Sequence, residues 1–219
     1  MPRGPSAHLT LSLGGVAIVL ATLVPIVAET VGLFPVPYDL SWLNQFGQPL
    51  FAQLSAVVLV AAFTILAMGV EKEPGIAGAS IIGKLSLILF AVAGLAVRVI
   101  APATLAPLGT SPNVLALLAV GFGSSVVVSL VALVVASIVV FRAGVIGGVA
   151  RWGLLVLAIA TAITSAVGLS DVPAVGPVEI VSTWGYPVEL VLQLALGVFY
   201  IHHGRTTALN QRREAVHEQ

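Results

Sequence analysis

The sequence predicts an all-α, polytopic integral membrane protein with six transmembrane helices and both termini inside. Three observations predict it. Apolar runs appear near residues 9–33, 49–70, 80–102, 112–141, 150–170 and 186–204, and each reaches the ~18–20 residues needed to cross ~30 Å of hydrocarbon. The composition is 58% hydrophobic and 8% charged, with a mean hydropathy of +1.11, whereas a soluble domain carries about 25% charge. Finally, eight of the nine Lys and Arg residues fall on one side of the six-run pattern.

That side is Arg3, then Lys72 and Lys84, then Arg142 and Arg151, then Arg205, Arg212 and Arg213; Arg98 alone is opposite. Positive flanks stay in the cytoplasm, so the reading is N-in and C-in, in a plasma membrane of prokaryotic type. The outer side holds Glu29, Asp39, Asp171, Glu179 and Glu189. The first run is longer than the 7–15 apolar residues of a signal peptide. Its removal would leave five crossings and break the charge pattern.

The six runs use most of the chain, so residues 1–204 read as one transmembrane domain and 205–219 as a polar cytoplasmic tail, with no soluble catalytic domain. The net charge is zero, which gives no argument for nucleic acid. There are no cysteines, so thiolate chemistry and Cys-ligated metals are excluded.

Backbone groups in hydrocarbon must pair within their own segment, so the runs are helices despite their abundant Val and Ile. Inner connections are short: Glu71-Lys72-Glu73-Pro74-Gly75 closes the second run, and Arg142-Ala143-Gly144 the fourth. Outer connections are longer. Residues 31–37 and 167–173 share the frame V-G-L-x-x-V-P, and each is followed by an aromatic-G-x-P, at 46–49 and 184–187. Proline suits the first turn of a helix, so Pro49 and Pro187 are expected to start helices. The matching spacing predicts a repeat in which hairpin 1–2 resembles hairpin 5–6, related by an axis along the membrane normal.

Arg98 lies 14 residues beyond Lys84, about 21 Å along a helix and near the outer boundary. A charged side chain inside a span costs roughly 2.5–3.5 kcal/mol on insertion scales, so Arg98 is expected to face protein or water and to pair with Glu29 or Glu189. That cluster is either an outward polar pocket or a bridge pinning helices. Trp42 and Trp184, with Tyr38 and Tyr186, are placed in the outer loops, as headgroup anchors or a wall over a pocket. Glu189, read as lying in the first turn of its helix, would gain from the positive helix end. Adjacent His202 and His203 lack the i, i+4 spacing of a metal pair, so no metal or cofactor is expected.

Small and hydroxylated residues are read as packing faces: Ala17 and Ala21; Gly121, Gly123, Ser124, Ser125 and Ser129; Ala158, Thr161, Ala162, Thr164, Ser165 and Ala166. Such residues let membrane helices approach closely, and hydroxyls bond across the contact. Gln53 and Gln193 occupy near-equivalent repeat positions as interhelical hydrogen-bonding groups. No carboxylate lies near the bilayer centre, where proton-coupled transporters and intramembrane enzymes need ionisable groups.

The first functional expectation is a non-catalytic membrane subunit that packs against partner proteins or copies of itself, among membrane lipids. The second is a small-solute transporter, or the solute-binding subunit of one, with an outward site. In outline the chain resembles the substrate-capturing subunits of energy-coupling-factor vitamin transporters, whose helix-1 small-residue pattern Ala17 and Ala21 echo; two alanines in an Ala-rich chain make no family match. An enzyme acting on lipid ranks third.

Overall fold

The computed structural model describes residues 7–32, 48–71, 73–96, 112–148, 150–168 and 177–217. They form six helices: α1 (His8–Gly32), α2 (Gln48–Met68), α3 (Ile81–Leu95), α4 (Pro112–Ala143), α5 (Ala150–Gly168) and α6 (Pro177–His217). No strand occurs among the described residues. Three helices are long and apolar enough to cross a membrane, over His8–Val27, Leu50–Met68 and Gly123–Ala143. Two others are apolar but shorter, over Ile81–Leu95 and Ala150–Ala166.

The largest departure from the sequence reading is α6. It begins at Pro177 and runs for 41 residues with Pro187 inside it, whereas Pro187 was expected to start the helix. A proline inside a helix removes one N–H, here the partner of the Thr183 carbonyl. One lost bond does not end a helix of this length. Trp184 therefore stands in α6 and not in a loop. The polar tail extends the same helix to His217, as a short helical extension was expected. The V-G-L-x-x-V-P frames run into residues 33–47 and 169–176, outside the described residues.

Turn chemistry fixes the α2–α3 connection. Gly69 closes α2 at φ +83°, a left-handed conformation that glycine adopts without a Cβ penalty. Its N–H donates to the Ile65 carbonyl at 2.9 Å, and the Ile76 N–H to that of Leu66 at 2.7 Å. Ser80 caps α3, its hydroxyl accepting the Gly83 N–H at 3.2 Å. That bond satisfies one of the donors a helix start leaves open.

Each helix packs on its chain neighbours, and α6 closes on α1. The six thus form a ring around one core, whose largest fully buried side chains include Tyr200, Phe63, Leu11, Ile18, Leu66, Leu87, Leu133, Leu154 and Leu196. Phe63 and Phe90 join α2 to α3 edge-to-face at 5.0 Å.

The closing seam is backbone against backbone. A Cβ on Gly15 would lie 2.6 Å from the Gly197 carbonyl oxygen, and one on Gly197 2.8 Å from that of Gly15. Gly204 meets the His8 carbonyl oxygen in the same way at 2.6 Å. Only glycine permits an approach this close, the usual device of helix pairs that lack a hydrophobic driving force between them.

Candidate functional site

At the expected outer end, α5 and α6 bring Thr164 and Glu189 together. Gly185 makes the approach possible, since a Cβ there would lie 2.6 Å from Thr164 Cγ2. Thr164 Oγ1 reaches the Glu189 carboxylate and the carbonyls of Ala160 and Thr161, the last two at 3.2 and 3.1 Å. A hydroxyl has one proton, and the carboxylate is its strongest acceptor. Glu189 is half-buried. It stands twelve residues into α6, about three turns, so the helix-end charge expected to favour it does not act: that effect fades within the first turn.

The rest of the expected cluster is placed only in part. Arg98 and Trp42 lie outside the described residues, so the pairing of Arg98 falls there too. Glu29 belongs to α1 and Trp184 to α6, but their side chains lie outside the described set. Gln53 and Gln193, expected as equivalents, differ: Gln193 is 7% exposed, whereas Gln53 faces outward.

A second polar cluster, at the expected inner end, was not read from the sequence. Glu73, in the α2–α3 connection, caps α1 across the fold. Its Oε1 accepts the Leu9 N–H at 3.2 Å and its Oε2 the Thr10 N–H at 2.8 Å. His8 Nδ1 lies 2.8 Å from Oε1. Thr10 returns the contact, its hydroxyl accepting the Val70 N–H at 3.0 Å. A carboxylate at a helix start satisfies open donors and complements the helix dipole. The only hint in the sequence is that the expected topology puts this acid on the same side as the start of helix 1.

A third cluster joins α4 to α5. The Arg151 guanidinium sits 3.6 Å from the Phe141 ring centroid and donates to the Phe141 carbonyl. Trp152 meets Phe141 edge-to-face at 5.0 Å. The arginine thereby answers a carbonyl of the last turn of α4 and gains a cation–π contact.

Hydroxyls deeper in the bundle serve the backbone. Thr22, Thr64 and Ser137 donate to the carbonyls four residues back, Ile18, Val60 and Leu133, at 2.7 to 2.8 Å. Ser55 crosses to the Ala21 carbonyl at 2.6 Å. Among the described residues no group of three His, Asp or Glu is placed to hold a metal ion. No family model, no curated protein and no solved structure matches this chain.

Proposed function

We propose that the chain is a six-span integral membrane protein with both termini cytoplasmic, acting as a non-catalytic subunit that packs against partner proteins. Three span-length helices support the membrane setting. Buried side chains make up 39% of the spans in α1 and α2 and only 28% of that in α4. Most of each span is therefore left to lipid or to another protein.

The observation that carries the partner reading is the uncovered face of α4. Gly121 has open space around it and Ser124 is exposed, while Val120, Val127 and Val131 are 70%, 52% and 56% exposed. Small residues in a membrane helix serve close packing, and among the described residues no helix of the ring takes up that service. A partner helix would. By contrast, the glycines of the α1–α6 seam are already used within the chain.

Native mass spectrometry from mild detergent tests this. A stoichiometric partner should accompany the wild-type chain and be lost from Gly121→Leu, whose fold is preserved because the new side chain enters open space. A wild-type chain that always travels alone, or a complex indifferent to Gly121→Leu and Ser124→Leu, removes the reading.

The Thr164–Glu189 pair supports a second reading, an outward site for a small solute with Glu189 as its charged anchor. Glu189→Gln should then abolish solute retention with the fold intact. Retention unchanged in that variant rejects the site.

A further inference from the structure

Between the inner ends of α4 and α5 lies an open groove of about 300 Å³, lined by Ser137, Ile138, Phe141, Arg142, Trp152 and Leu155. Its walls are almost wholly apolar except at one end, where Arg142 stands. A second groove, of about 380 Å³, adjoins the first at the same arginine. It is lined by Ala77, Gly78, Ala79, Ser80, Val139, Arg142 and Ala143 and is bordered by the start of α3.

The two arginines at this end are not equivalent. Arg151 is engaged with the Phe141 ring and carbonyl. Arg142 is exposed and has no acidic partner among the described residues. A guanidinium presents a planar fork of donors suited to phosphate oxygens. The positive end of α3, beside the second groove, offsets the negative end of α4, whose last turn carries Arg142. Trp152 is 51% exposed at the level where Trp rings prefer the headgroup boundary.

We infer that this groove binds an anionic phospholipid of the cytoplasmic leaflet: an acyl chain along Ile138, Phe141, Trp152 and Leu155, and the phosphate on Arg142. The inference rests on the membrane reading above, which puts Arg142 and Arg151 at the inner boundary. Charge complementarity selects the occupant. An apolar partner helix would fill the apolar walls and leave the arginine unanswered, and a zwitterionic phospholipid brings a phosphate already offset by its own cation, whereas an anionic lipid fills the walls and keeps its net charge for the arginine. Basic pockets between helices on this side of a membrane recognise such headgroups.

Trp152 lies in the groove and reports on it. The full-length protein is reconstituted into phosphatidylcholine vesicles carrying a small fraction of either phosphatidylglycerol or phosphatidylcholine brominated on its acyl chains. The Trp152 component of fluorescence is the difference between wild type and Trp152→Phe. Brominated phosphatidylglycerol should quench that component with an apparent affinity about fivefold above brominated phosphatidylcholine, the gain expected of one arginine at an anionic surface. Arg142→Gln should abolish the preference; the substitution is at an exposed side chain and leaves Arg151 in place. Equal quenching by the two lipids, or a preference that survives Arg142→Gln, overturns the site. Vesicle flotation is run beforehand: protein that fails to float overturns the membrane reading together with the site, whereas floating protein without a lipid preference overturns the site alone.

Discussion

Ser55 repairs the gap that Pro25 opens. Pro25 lies inside α1 and has no N–H, so the carbonyl of Ala21, four residues back, loses its helical partner. Ser55 Oγ, from α2, donates to that carbonyl at 2.6 Å, and both ends of the bond are buried. Transmembrane prolines are tolerated where a neighbouring hydroxyl satisfies the freed group in this way.

The two residues should therefore be energetically coupled. Ser55→Ala is expected to destabilise the protein by about 0.6 kcal/mol and up to ~1.7 kcal/mol, the range of interhelical hydrogen bonds in membrane proteins. In a Pro25→Ala background the helix supplies its own donor, and the same substitution should cost close to nothing. A double-mutant cycle followed by thermal unfolding in detergent measures the coupling. Equal costs in the two backgrounds would show that Ser55 has another role.

Glycines of the ring should divide into two classes. Gly15→Ala and Gly197→Ala push a methyl into the opposing backbone and should each cost about 1–3 kcal/mol, as overpacking does. Gly121→Ala meets no atom within 4 Å and should be neutral or gain about 0.5–1 kcal/mol from helix propensity. Melting temperatures of the three variants decide it. A Gly15→Ala protein as stable as wild type would mean that α1 and α6 cross farther apart than the structure has them.

Glu73 should behave as the cap of a helix whose capped N–H groups lie 63 and 64 residues away in sequence. Glu73→Ala is expected to lose about 0.5–2 kcal/mol, the usual range for a lost N-cap. Glu73→Gln keeps one acceptor oxygen and should lose less. Amide hydrogen exchange locates the effect: faster exchange at Leu9 and Thr10 in Glu73→Ala supports the cap, and unchanged protection there rejects it.

How much of this was legible follows from what hydropathy encodes. The helix starts at Gln48, Ile81, Pro112 and Ala150 lie within a residue of the expected runs, because the change from polar to apolar is local information. The beginning of α6 was misread because a proline suits a first turn and yet is survivable inside a long helix. That misreading moved Glu189 from a helix start into a helix interior and Trp184 from a loop onto α6. The Ser55–Ala21 and Glu73–α1 bonds were illegible for a different reason. Helices that are apolar on every face leave their mutual register undetermined, and these bonds depend on register alone. Of the expected outer cluster, the side chain described is Glu189, and its partner there is Thr164, a residue read only as part of a packing face.

The six-span topology is open to a direct labelling test, because the chain has no native cysteine and any introduced thiol reports without background. Ala79, Ala143 and Asn210 are exposed and punctuate the helices in pairs: α3 and α4 separate the first two, α5 and α6 the last two. The described parts of α3 and α5 are shorter than a usual span, so their crossing is the part most worth checking. If every helix crosses, Ala79→Cys, Ala143→Cys and Asn210→Cys share one side, and the positive-inside rule makes it the cytoplasm. All three should resist a membrane-impermeant maleimide in intact cells and react after permeabilisation, while Asp39→Cys should react in intact cells. Opposite behaviour of Ala79→Cys and Ala143→Cys would mean that either α3 or α4 does not cross, and opposite behaviour of Ala143→Cys and Asn210→Cys would say the same of α5 and α6. An Ala143→Cys that reacts in intact cells would also put the adjacent Arg142 on the outer side, so this pattern bears on the lipid groove as much as on the fold.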